Sequence, residues 1–129
     1  MNKIVVEVSI GDLLDKISIL EIKKEKIKDP EKLKFISNEY SILKDQFEKN
    51  IKSDDKLKDL YQSLKVINTK LWVIEDDKRQ CEKDKDFGEK FVKLSRDVHF
   101  LNDDRAKIKL EINNHTGSAI KEVKEYTSY

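Results

Sequence analysis

The sequence predicts a mainly α domain, an antiparallel four-helix bundle-like fold with one short N-terminal strand. Three observations carry this. Apolar residues recur at three- and four-residue spacing in four separate segments, the signature of helices that bury one face. Only three glycines and one proline occur in 129 residues, so few positions interrupt a helix. Charged residues reach 41% against 37% hydrophobic, yet the apolar ones are periodic, which argues for folded amphipathic helices and against disorder. A chain of this length makes one domain with a modest core.

The elements follow in order. Residues 3–8 alternate, with Ile4, Val6 and Val8 on one side and Lys3, Val5 and Glu7 on the other, and read as a strand. A lone strand needs an edge to satisfy its backbone. The C-terminal tail is the preferred partner, the same strand of a second subunit the other. Ser9 followed by Asp12 is a reciprocal capping pair that opens a helix over 10–28. Leu13, Leu14, Ile17, Ile19, Leu20, Ile22 and Ile27 make that helix greasy on several sides, so it belongs in the centre. Asp29-Pro30 starts the second helix, 30–50, with Leu33, Ile36, Tyr40, Leu43 and Phe47 in register.

Ser53 or Asp54 caps the third helix, 54–85, whose stripe is Leu57, Leu60, Leu64, Ile67, Leu71 and Ile74. Asp86-Phe87-Gly88 breaks it. The fourth helix, 88–114, carries Phe91, Leu94, Val98, Leu101, Arg105, Ile108 and Ile112, and Gly117 supplies a left-handed stop. The tail, 118–129, reads equally as helical turns (Ile120, Val123, Tyr126) or as a strand (Val123, Glu125, Thr127, Tyr129). Small crossing angles suit such repeats.

Composition excludes several functions. The net charge of +1 gives no global field for nucleic acid. No apolar run approaches a membrane span, and Glu7 and Asp12 interrupt any signal-peptide pattern. Cys81 is the lone cysteine, so no intrachain disulfide or paired-cysteine metal site forms, and a cytoplasmic setting is expected. No phosphate-binding loop, nucleophile elbow or His-Glu-x-x-His motif occurs. His99 and Asp103 stand four apart, but two ligands make no site, so neither metal nor cofactor is expected.

Arg105 is the informative residue, because it fills a slot where a packed helix should present an aliphatic side chain. Burying an unpaired guanidinium costs several kcal/mol, so it must be paired, exposed at a bundle end past the core, or aimed at an anion. Asp12, Glu21, Glu75 and Asp76 are the expected partners, and an internal ion pair is the plainer reading. The alternative is an anion pocket between helices, with Lys109 one turn on. A second stripe on the third helix, Tyr61, Lys65, Asn68, Trp72, Glu75 and Arg79, suits a partner surface or an amphipathic rim. Lys16, one turn from Asp12, would interest a carbonyl substrate only if buried.

Four stretches of the chain, Ser9 to Lys23, Leu71 to Arg79, Asn102 to Asn113 and Gly117-Ser118, resemble a family of uncharacterised bacterial and phage proteins described as a domain of unknown function. The resemblance spans nearly the whole chain and brings no activity with it. It gathers Asp12, Lys16, Glu21, Trp72, Glu75, Asp76, Arg79, Asn102, Asp103, Arg105 and Lys109 into shared stretches, which implies one polar cluster. The leading expectation is a non-catalytic oligomeric interaction or assembly module, a homodimer with Trp72, Glu75 and Arg79 at its contact surface. The rival is a binder or enzyme for a small anionic metabolite, held by Asp12, Lys16, Glu75, Arg79, Arg105 and Lys109.

Overall fold

A computed structural model describes residues 2–129. Four helices follow one another: α1 (Ile10–Lys26), α2 (Pro30–Asn50), α3 (Asp55–Asp84) and α4 (Glu89–Thr116). Among the described residues there is no strand, and no helix is long and apolar enough to cross a membrane.

Local chemistry sets the boundaries. The Ser9 hydroxyl accepts from the Asp12 N–H at 3.0 Å, Asp29 from Glu31 N–H at 3.0 Å, and Asp54 from Leu57 N–H at 2.8 Å. Pro30 occupies the first turn of α2, where its missing N–H costs nothing. Lys85 and Gly117, at φ 57° and 68°, end α3 and α4 in the left-handed region. At Ser9 the expected reciprocal cap is only half made, because the Asp12 carboxylate is drawn to Lys109 instead.

α1 is the hub. It packs against all three other helices, while α2 approaches α1 alone and α3 pairs with α4 as a long hairpin. Joining of Asp54, before α3, to His115, near the end of α4, makes that hairpin antiparallel. α1 crosses it obliquely, its first turns against Lys109 and Asn113 of α4 and its later ones against Tyr61 and Lys65 of α3. Leu14, Ile17, Phe47, Leu57, Leu64 and Ile112 form the core where the helices converge.

The 3-4 registers predict the inward faces well. None of Leu57, Leu60, Leu64, Ile67, Leu71 and Ile74, or of Phe91, Leu94, Val98, Leu101, Arg105, Ile108 and Ile112, is exposed. Between Thr69 and Phe100, however, Cys81 is the only fully buried residue. That stretch is a two-helix arm projecting past the core, with Val73, Val92 and Phe100 about half exposed.

Within a single chain the expected N-terminal strand is not seen. Residues 3–8 form no ladder, and Ile4, Val5 and Val6 stand 91%, 85% and 68% exposed. The preferred partner is engaged elsewhere. Glu122 of the tail reaches Lys109 at 2.9 Å, and the Tyr129 hydroxyl donates to Asp103 while its ring meets Phe100 edge-on. The tail therefore runs back along α4, neither helix nor strand.

Candidate functional site

α1 carries a polar stripe at three- and four-residue spacing: Asp12, Asp15, Ser18, Glu21 and Glu25. Three-residue steps drift by about 60° each, so the stripe winds round α1 instead of keeping to one face. Its start meets α4, which offers Arg105 and Lys109, and its later part meets α3, which offers Lys65 and Asn68.

At the centre, Arg105 donates from Nε to Asp15 Oδ1 at 2.9 Å and from Nη2 to Oδ2, the bidentate fork of a guanidinium on a carboxylate. The Asn68 amide donates to the same Asp15 Oδ1 at 2.9 Å and to Ser18 Oγ at 2.8 Å, and the Ser18 hydroxyl donates to the Asp15 carbonyl oxygen at 2.7 Å. Burial pushes the Asp15 carboxyl up, but Arg105, Asn68 and the nearby Lys109 outweigh it and hold it below the ordinary value. Its acid pulls Arg105 up in turn, against the opposing effect of burial.

One turn along α4, Lys109 joins Asp12 at 2.7 Å and Glu122 at 2.9 Å. Burial draws its ammonium down, and the two carboxylates overcome that to raise it. Towards the other end of α1, Glu21 accepts from the Tyr61 hydroxyl and from Lys65 at 2.9 Å, and Lys65 also reaches Glu25 at 3.0 Å. Burial and Glu21 together push the Tyr61 hydroxyl far above its ordinary range.

The first turn of α1 is closed by the end of α4. Ile10 N–H donates to Ser118 Oγ at 3.1 Å and Gly11 N–H to Asn113 Oδ1 at 2.7 Å. With Ser9 taking Asp12 N–H, three of the four orphan donors of the helix are satisfied by side chains. Gly11 makes this closeness feasible: a Cβ there would fall 2.6 Å from the Lys109 carbonyl oxygen.

The sequence-predicted residues thus separate. Asp12, Glu21, Arg105 and Lys109 lie in one belt across α1, but the partner of Arg105 is Asp15, not Asp12, Glu21, Glu75 or Asp76. Lys16 faces solvent. Asn102 lines a cleft of about 610 Å³ between α4 and the tail, with His99, Asp103 and Tyr126. Trp72 is half-buried on the arm, and Glu75, Asp76 and Arg79 are exposed there, in no ion pair among the described residues. Glu75 and Arg79 stand about 10 and 16 Å along α3 from Asn68. Asp15, Ser18 and Asn113 escaped prediction, the signal for the first two being the stripe itself, while Tyr61, Lys65 and Asn68, expected on a partner surface or rim, lie in the belt against α1.

Every buried side-chain nitrogen and oxygen among the described residues has a partner. No three His, Cys, Asp or Glu groups stand together as metal ligands among them. The belt is a satisfied network, and its chemistry is that of orientation: it fixes how α1 lies across the hairpin.

The sequence profile of the family of unknown function DUF6165 matches residues 4–129. The chain belongs to that family. The match takes in all four helices and the belt, so the architecture described here is that of a DUF6165 domain. No curated protein and no solved structure matches the chain.

Proposed function

We propose that this DUF6165 domain is a non-catalytic oligomeric interaction module, and that the projecting α3–α4 arm is its contact surface. One observation carries the reading: across Thr69 to Phe100 Cys81 alone is fully buried, and Val73, Val92 and Phe100 stay about half exposed along the arm, Phe100 with Tyr129 of the tail against one edge. Val73, Ile74, Phe100 and Leu101, with Lys70 and Asp97 among them, border a groove of about 500 Å³ there. Exposed apolar side chains rimmed by charges suit a protein contact.

A second copy is the partner the charges favour. Residues 69–100 hold eight lysines and arginines against eight aspartates and glutamates. A twofold contact doubles any net charge it joins, so a balanced arm pairs with itself without repulsion. Two arms laid together would complete a four-helix bundle, with Trp72, Glu75 and Arg79 at its edge.

The anion-binding alternative is weaker because the cations it needs are already engaged. An anion at Arg105 would have to displace the bidentate Asp15, and one at Lys109 would have to displace Asp12 or Glu122. The single buried cysteine suits a reducing compartment.

Amide hydrogen exchange at two protein concentrations tests the proposal. Protection of residues 69–100 should rise several-fold with concentration while the core around Leu64 and Ile112 stays constant. Concentration-independent exchange in the arm would defeat it.

A further inference from the structure

The exposed N-terminal segment is the other unpartnered apolar feature, and its sequence specifies a partner. Residues 3–8 alternate as a strand does, four of the six are β-branched, and Ser9 anchors them where α1 begins. No hydrogen bond joins their backbone to the rest of the described chain. The natural intrachain edge, the tail, is tied to α4 through Glu122 and Tyr129.

We infer that residues 3–8 pair with the same residues of a second copy as a two-stranded antiparallel ribbon centred on Val5. The charges choose the register. With Val5 opposite its own twofold mate, Lys3 lies across from Glu7 of the other copy, so both ends of the face carry an opposite-charge pair. On the other face Ile4 lies across from Val6. Cross-strand pairs of both kinds stabilise a ladder, by about 0.2–1 kcal/mol each. Moving the centre to Val6 would set Lys3 against Ser9 and Glu7 against Val5, losing both opposite-charge pairs. The alternation permits no freer choice, because a one-residue slip exchanges the two faces.

This inference stands apart from the arm. The segment leaves the molecule beside the C-terminal end of α4, at the opposite end from the α3–α4 turn. A two-stranded ribbon this short is marginal alone, so covalent trapping is the suitable readout.

Cysteine at the centre reports the register directly. Residues facing each other across an antiparallel pair have Cα atoms about 4.5–5.5 Å apart, within disulfide reach. Wild-type Cys81, 2% exposed, provides the silent background. Under mild oxidation the Val5→Cys full-length protein should form a covalent dimer at least five-fold faster than Ile4→Cys or Val6→Cys alone. An equal mixture of Ile4→Cys and Val6→Cys should give the mixed dimer in preference to either like dimer. Adding Lys3→Glu to Val5→Cys should slow dimer formation, and adding Glu7→Lys as well should restore it. Equal rates at positions 4, 5 and 6, or no homotypic product at any of them, would overturn the ribbon; the latter is also the result if the segment serves the sheet edge of a different protein. The same pattern in a background carrying Val73→Asp and Phe100→Asp would show that the ribbon stands without the arm contact.

Discussion

Arg105→Ala removes the guanidinium that covers a carboxylate only 5% exposed. Breaking a buried pair from one side costs about 3–5 kcal/mol, and roughly 3 is expected here because about a quarter of the Arg105 side chain meets solvent. Urea unfolding measures it, and a loss below about 1 kcal/mol would show the pair to be incidental. The pH dependence has a definite sign. The folded Asp15 carboxyl lies below its unfolded value, so its contribution is full above about pH 4 and disappears as pH falls through the depressed folded value. The stability gap between wild type and Asp15→Asn should therefore narrow on acidification below about pH 4. The anomaly of Arg105 was plain from its register, a charge in an aliphatic slot. Its partner was not, because Asp15 faces Arg105 only through the oblique crossing of α1, and a crossing is set by packing rather than by any local pattern.

The helices themselves were legible because each has one inward stripe and a clear cap, and the observed bounds fall within two residues of the expected ones. The strand was not, since alternation describes what a segment can pair with and leaves open whether an edge is offered. Gly11 illustrates a conflict between scales. Helix propensity alone says Gly11→Ala should stabilise α1 by about 0.5–1 kcal/mol. The added Cβ would instead meet the α4 backbone at 2.6 Å, and a backbone atom cannot swing aside. Overpacking of this kind costs about 1–3 kcal/mol. The variant should melt several degrees lower in a calorimeter, whereas a higher melting point would mean that α1 and α4 are not so closely apposed.

At the scale of the molecule, the division of labour is between a converged core with its polar belt and an arm that buries little. The family resemblance drew the unusual polar residues into one cluster, but the fold sends Asp12, Glu21, Arg105 and Lys109 to the belt and Trp72, Glu75, Asp76 and Arg79 to the arm. Sequence alone could not separate them, because both groups sit beside the same apolar stripes. Substitution in the arm should spare folding, since Val73 and Phe100 are already 45% and 46% exposed. Sedimentation equilibrium of the wild type and of the Val73→Asp/Phe100→Asp variant tests the proposed arm contact most directly. The wild type should sediment at twice the 15.2 kDa of one chain, and the variant at that mass with an unchanged circular dichroism spectrum. A monomeric wild type, or a variant that keeps the wild-type mass, would contradict the assignment.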